Sequence, residues 1–589
     1  MLRCEGNCVG GVYRRSLKLK SSRNFDHIMP GGENSVPIPV DEPWWMPMFA
    51  DQSRRGVLKW AGLGGVAGLA RGLLPRSAGA QDVSTLTVGW GTDIDSLDPA
   101  QFKSDGAYIV QCNIYDTVLG WGAEPVPGRP GIRSAKPGKF IGGVGESWTY
   151  ENDGKTLVVK IRGGLKFPGG KPVDAHAVKY LFDRGLQSPG YMRLIFPTLL
   201  AVTHPDQFEV RDDTTFVINM PAPSAMLLDV LALSNDALLD PDLVKAHATT
   251  DDPWASDWLK RNTAGLGPYR LVSNEPSVEV VLEATPDYWG PAPYFKRVVA
   301  KYTPNEADRI LLLKRKAIDM VIGPNSMSPK NLKSLETEPG LTVVSLPDTN
   351  CNFVSMNLKK PPFDNVKVRQ AVNYAIPIQA IIPNVLYGFG EQMKSPIPSQ
   401  TPGYDGSLSP YKYDLAKAKS LMQQSGLGNR PMPVKLAVRV GYEPHEQAAV
   451  WIQRELEKIG FQVSIEKETD AMFRQLSSNG DHELSIETWQ SWINDPVYHL
   501  YLNFHSNAVG TNKGFYANPA LDKLIDDNIR GGDPTGRAAA VKEAQRILLD
   551  DAVWGLLWYD NWTRVMRSEL FGLEKVWDSL ERFDKMKFA

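Results

Sequence analysis

Cysteine is scarce in this chain of 589 residues, with Cys4, Cys8, Cys112 and Cys351 the full set. Four are too few for a disulfide framework, and the Cys4/Cys8 pair has no second Cys or His pair to complete a metal site. Histidine is sparse too, at eight residues, and none stands in a zinc-protease motif. His499 and His505 lie six apart, which is wrong for two ligands on one helix face, and both read as partly exposed polar residues. No Gly-x-Ser-x-Gly elbow, phosphate loop or dinucleotide fingerprint occurs. An excess of one charge is also missing: 65 Lys+Arg stand against 67 Asp+Glu, a formal net charge of -2. No basic run is interleaved with aromatics, so nucleic acid is excluded as a partner. The carboxylates sit at helix starts and strand ends, where capping accounts for them better than acid–base work. An exported hydrolase is the rival class, but no constellation carries it, and no cofactor is implied.

The chain is longer than one hydrophobic core usually supports, so two or more lobes are expected. Near its start, SRRGVLKWAGLGGVAGLARGLLPRSAGAQD (53–82) joins adjacent Arg54 and Arg55 to a weakly hydrophobic Gly/Ala/Leu run. The small-x-small site Ala78-Gly79-Ala80 follows. Charged region, short apolar run and cleavage site in that order describe an export signal, and the run is too short for a retained span. The Ser-Arg-Arg-Gly-Val-Leu-Lys start resembles a twin-arginine signal, a receptor-read address. No Cys follows the small-residue site, so no lipid anchor is implied. Residues 1–52 precede this signal as an extension, and translation is expected to begin at Met46 or Met48. The mature chain then starts near Gln81, and its 54 Lys/Arg and 61 Asp/Glu give about -7. An acidic, soluble, periplasmic protein is expected.

From residue 84 onward strands and helices alternate. Thr85–Trp90 has strand alternation, 147–162 reads as a hairpin around Asn152-Asp153-Gly154, and 173–186 as a helix capped by Asp174. The Pro/Gly-rich, basic stretch 124–145 reads as an exposed excursion. Later, 364–376 reads as a helix capped by Asp364, and 434–468 as a β-α-β run with Ile452, Leu456 and Ile459 facing inward.

Several segments in order carry a resemblance: LKFPGGKPVDAHAVKYLFDR (165–184), GLGPYRLVS (265–273) and ATPDYWGPAPYFKRVVAKY (284–302), then NFVSMNLKKPPFDNVKVRQAVNYAI (352–376). YKYDLAKAKSLMQQSG (411–426), NDPVYHLYLNFHS (494–506) and YANPALDKLI (516–525) complete the set. Nearly the whole mature chain resembles the extracytoplasmic solute-binding proteins of ABC importers, in the dipeptide/oligopeptide/nickel-binding class (family 5). The resemblance implies an α/β, two-lobed periplasmic-binding-protein fold with mixed sheets that closes by hinge motion. It places the first lobe at 81–112, 263–346 and the returning 561–589, an inserted subdomain at 113–262, and the second lobe at 347–560. It also implies a monomeric receptor, delivering a peptide or small solute to a membrane permease, and no enzyme.

Ligands of such folds are expected where strand ends meet helix starts. ELSIETW (483–489) reads as a strand and Asp495-Pro496 as a helix opening, so Trp489 to Asn494 form the loop between them. Trp489 and Trp492 are therefore candidate ligand contacts, Trp489 equally readable as a packed strand end. In peptide-binding members of the class, the residue three after the strand-end Trp is an Asp that pairs with the peptide ammonium. Here it is Trp492, whose indole offers a π face and one donor but no anion. Three ligand types stay open: a peptide held through its backbone, a flat hydroxyl-rich solute stacked on the tryptophans, or a cation over their faces. Ile94 and Asp95, Asn350, Cys351 and Asn352 at the lobe crossing, and Tyr387 and Phe389 in the YGFG loop complete the candidate set. Cys112 and Cys351 could pair, since sequence does not set their distance, and two free, buried thiols are the default expectation. Mass spectrometry of the unprocessed precursor is expected to yield no peptide from residues 1–45, and N-terminal sequencing of the exported protein to begin near Gln81.

Overall fold

The computed structural model describes residues 84–101, 104–427, 431–531 and 534–589. The expected extension and export signal, with Arg54, Arg55, Ala78 and Ala80, lie outside the described residues.

Two long antiparallel strands, Leu341–Met356 and Trp554–Arg567, lie side by side within an 11-stranded sheet. Beyond the first of them come Leu484–Gln490, Met432–Arg439 and Phe461–Glu468. Beyond the second come Met320–Val321, Thr85–Trp90, Arg297–Tyr302, Glu279–Ala284 and Tyr269–Glu275. The sheet is mixed because helices return the chain between some neighbours and turns between others. Helix Glu443–Glu457 is the crossover between the parallel strands Met432–Arg439 and Phe461–Glu468, and buries Ala448, Ile452 and Leu456.

The ladder between the two long strands slips between Pro347 and Cys351 and again between Asn352 and Phe353. Pro347 has no N–H to give, so regular pairing falters there, and the slips re-aim the strand. As a result each long strand serves two cores. Val344, Leu346, Trp562 and Met566 pack with Leu86, Val88 and Phe583. Val354, Met356, Leu557 and Trp558 pack with Ile452, Leu456 and Ile486.

A separate four-stranded sheet takes the order Gly145–Glu151, Thr156–Ile161, Thr215–Asn219, Phe208–Asp212. Its hairpin turns where the sequence predicts, through Asn152 and Asp153 at φ 51° and 54°. Helix Ala175–Gln187 covers it, with the Asp174 carboxylate accepting from the Ala177 N–H. Two expectations fail. Most of the stretch 124–145 is not an excursion: Ile132–Gly142 is a strand paired with Leu119–Pro125 and, from the far end of the chain, Leu573–Lys575. Arg133 reinforces this with a 2.7 Å ion pair to Glu574. Asp364 is not the helix cap either. Its N–H still bonds Lys360 O in the preceding turn, and Asn365 caps Val366–Ala375 by accepting from Lys367.

On the inner side of Ala175–Gln187, Arg184 donates to Asp98 at 2.7 Å, both side chains being buried. This pair ties the helix to the turn after the Thr85–Trp90 strand, where Asp98 also accepts from the Ala100 N–H. Asp98→Ala would strand a buried guanidinium, so the variant is expected to lose about 3–5 kcal/mol of stability. Urea denaturation followed by circular dichroism measures it.

Candidate functional site

Between the two halves of the large sheet, strand alternation sends neighbouring side chains to opposite faces. Cys351, Trp489 and Tyr559 are in register and share one face. Asn352, Thr488 and Trp558 are likewise in register on the other, with Asn350 and Asp560 bonded to them.

On the first face, half-buried Trp489 packs against the core containing Cys351 and Tyr559. Its indole N–H is buried without a hydrogen-bond partner among the described residues. The strand ends at Gln490 and helix Pro496–Phe504 begins under its cap Asp495, which accepts from the Val497 and Tyr498 N–H groups. Arg537 pairs with the same carboxylate at 2.7 Å, so Asp495 is occupied on the protein side. In the intervening loop Trp492 lies between two rings: Tyr108 at 5.3 Å and Tyr191 at 5.2 Å between centroids. Tyr108 comes from helix Asp105–Ile114 and Tyr191 from helix Tyr191–Ile195. Tyr191 and Tyr498 add a hydroxyl–hydroxyl bond of 2.5 Å. Trp492 is thus a bridge between distant parts of the chain, its ring held by protein aromatics.

His499 and His505 are buried, contrary to expectation, because helix Pro496–Phe504 is covered on nearly every side. The ring of His499 lies 2.8 Å from Ser491 Oγ through Nδ1 and 2.7 Å from Pro396 O through Nε2. With Nε2 donating to the carbonyl, Nδ1 accepts from the serine, a neutral tautomer. Burial pushes the ring down to about 4. His499 therefore fixes Ser491, the residue before Trp492.

The second face is polar. Asp560 accepts from the Asn350 amide at 3.0 Å and from the Trp558 indole at 2.7 Å, and Asn350 accepts from Thr488 at 2.7 Å. Burial pushes the Asp560 carboxyl up to about 6. Asn352 lies deeper, facing His445 Nε2 at 2.8 Å. Beside Asp560 opens a cleft of about 250 Å³ whose walls come from both halves of the sheet, including Glu306, Asn325, Phe389, Tyr442 and Glu443. The Tyr442 hydroxyl donates to Asn325 at 3.2 Å across it.

The candidate residues therefore divide. Phe389 lines the Asp560 cleft and Asn350 bonds Asp560 itself, while Trp489 and Trp492 lie on the aromatic side, where Ile94 packs against the same core as Trp492. Asp95 instead holds a turn, accepting from the Ser104 N–H and Oγ. Tyr387, at φ 50°, packs with Phe389 beside Leu313 and Leu332. Cys112 and Cys351 are both free thiols, Cys351 fully buried. Asp560, Tyr442, Tyr108 and Tyr191 were absent from the candidate set. Asp560 alone had a signal, as a lone carboxylate inside the apolar run WGLLWYDNW (554–562), which is costly unless it is used. Among the described residues, no group of three or more His, Cys, Asp or Glu could hold a metal ion, and no helix is long and apolar enough to cross a membrane.

The sequence model of the family described as "Bacterial extracellular solute-binding proteins, family 5 Middle" matches residues 139–511. The probable D,D-dipeptide-binding periplasmic protein DdpA of Escherichia coli is 29% identical over 489 residues, 83% of this chain and 90% of its own. Heme-binding protein A of Haemophilus influenzae is 26% identical over 433 residues, 70% of this chain and 77% of its own. The structure of the periplasmic binding protein DppA of Helicobacter pylori, in complex with the peptide STSA, is similar at a TM-score of 0.73. It is 27% identical and covers 86% of this chain and 98% of that one.

Three buried histidines, His445, His482 and His499, are shifted toward the neutral form mainly by desolvation. Unfolding returns them to water, where each binds a proton below about pH 6.5. The unfolded chain then holds more protons than the folded one. Their contribution is therefore intact above that pH and is lost as pH falls from about 6.5 toward 4. Relative to the wild type, His499→Gln is expected to lose less stability between pH 6.5 and 4, read from denaturation midpoints. An unchanged slope would show that His499 does not carry the effect.

Proposed function

The chain belongs to the bacterial extracellular solute-binding proteins of family 5 and has their two-lobed α/β fold with mixed sheets; from this we propose that it captures a small solute for an ABC importer. On this reading it is exported through the twin-arginine machinery, matures near Gln81 and works in the periplasm as a soluble monomer. It delivers its ligand to a membrane permease driven by cytoplasmic ATPases. Residues 81–112, 263–346 and 561–589 form the first lobe, 113–262 its inserted subdomain and 347–560 the second.

The observation that carries the reading is the crossing itself. Two strands serve both cores of the large sheet, and a cleft of about 250 Å³ opens beside them with walls from both of its halves. Lobes joined by a few bulged residues close over a ligand by bending there. A short peptide is the first choice of solute, since relatives named for dipeptides and a relative solved with a peptide share the fold. A second reading, a non-peptide solute, is favoured by Trp492, which stands where the peptide-binding members of the class carry an amine-pairing acid. The reading calls for no chemistry on the solute.

Thermal-shift and calorimetric titrations against peptides, oligosaccharides and quaternary amines test the proposal. Saturable binding without turnover is expected. Turnover abolished by one carboxylate substitution would replace it with the hydrolase class. In Trp492→Ala, loss of the contacts to Tyr108 and Tyr191 is expected to weaken binding about tenfold. Unchanged affinity would remove Trp492 from both the ligand site and the closure that forms it.

A further inference from the structure

We propose that the cleft beside Asp560, rather than the tryptophan loop, receives a positively charged ammonium group of the captured solute. The inference rests on the reading of the protein as a solute receptor and goes further by naming the chemistry of the ligand.

The argument begins with charge. The cleft walls carry one cation, Arg309, and three acids, Glu306, Glu443 and Asp560. Arg309 is spent on the fold. Its guanidinium donates to the carbonyl oxygens of Thr303, Pro304 and Ser326. Glu306 lies one helical turn before it on the same helix and offsets its charge. What remains is Asp560 on the cleft wall and Glu443 exposed at its edge, and neither has a cationic partner among the described residues. Asp560 accepts from an amide and an indole. Glu443 accepts from the Gln447 amide. A carboxylate withdrawn from water and bonded to neutral donors alone lacks the compensation that a cation gives.

Shape agrees with charge. Phe389 from one side and Tyr442 from another bring aromatic rings to the same cleft as Asp560. An acid flanked by aromatic rings suits an organic ammonium, whose charge meets the carboxylate and whose carbon substituents meet the rings. A bare metal ion has no such use for the rings, and an anion would meet two acids. The cleft is completed by both lobes, with Tyr442 reaching Asn325 across it, so occupancy and closure are coupled. Asp560 thereby fills the role that the class assigns to an acid at the position of Trp492, from a different strand and the opposite face of the crossing.

The full-length mature protein is titrated calorimetrically with free-amine di- and tetra-alanine, their N-acetylated counterparts, choline and maltotriose. At least one ammonium probe is expected to bind, with the acetylated peptides and maltotriose about tenfold or more weaker. Preference for a free-amine peptide over choline, or the reverse, identifies the source of the ammonium. Asp560→Asn is expected to reduce affinity for the ammonium probe about tenfold to a hundredfold. Glu443→Gln, a change at an exposed edge that leaves the core intact, should cause a smaller loss in the same direction. Acetylated peptides or maltotriose binding as tightly as the ammonium probes overturns the inference and leaves the receptor reading standing. Unchanged affinity in a folded Asp560→Asn, or in Glu443→Gln should the first variant not fold, does the same. If no ammonium probe binds, the inference falls and the receptor reading, which admits other solutes, stands.

Discussion

A strand that belongs to two lobes must keep its backbone paired on both sides of the gap, or the lobes come apart. Here that duty falls on Leu341–Met356 and Trp554–Arg567, and their shared ladder survives the crossing only by slipping register twice. Buried charge braces the side of the slip that packs with Leu86 and Val88. Asp348 accepts from Ser579 Oγ and pairs with Lys575 at 3.1 Å, and Glu581 takes both Arg564 and the Gly323 N–H. Ion pairs as buried as these bring little net stability, but they are intolerant of misplacement. The returning C-terminal segment therefore acts as a clamp on the start of the bulged stretch, through Asp348.

That constraint also determines which side chains can work together. Because the crossing strands are pleated, alternate residues such as Cys351 and Asn352 turn to opposite sides, and one stretch of sequence supplies two unlike surfaces. One is aromatic and tightly engaged, through Trp492, Tyr108, Tyr191 and Tyr498. The other is polar and hollow, through Asp560, Asn350 and Tyr442. Division of labour follows: contacts between parts of the chain gather on the aromatic face, while the polar face keeps a carboxylate and an open volume beside it.

Much of the local structure was legible because its causes are local. The Asn-Asp-Gly turn, the Asp174 cap, and the strand–loop–helix from Leu484 to Phe504 follow from turn chemistry, capping and period. Non-local pairing was not legible. The basic stretch around Ile132–Gly142 looks like a loop until Leu573–Lys575 arrives beside it. Among the residues around the crossing, the positions of Trp489, Asn350 and Phe389 at strand ends and loops are legible in the sequence. Tyr108 and Tyr191 carry no mark of their own, since an aromatic on a helix reads as core, and only the tertiary fold brings them to Trp492. Treating Asn350, Cys351 and Asn352 as one group overlooked the pleat, which turns Cys351 away from the other two. His499 reads as partly exposed in the sequence because a helix buried all round has no polar face to give its orientation away.

The position of Trp492 gives the molecule a built-in optical gauge. Its indole lies within about 5 Å of two tyrosine rings carried by other elements. Excitation absorbed by those phenols passes to the indole with an efficiency that falls with distance, and a parting of the rings would admit water to the indole. In a variant that keeps Trp492 and replaces the other tryptophans, the ultraviolet emission would report on a residue whose neighbours come from regions far apart in the chain.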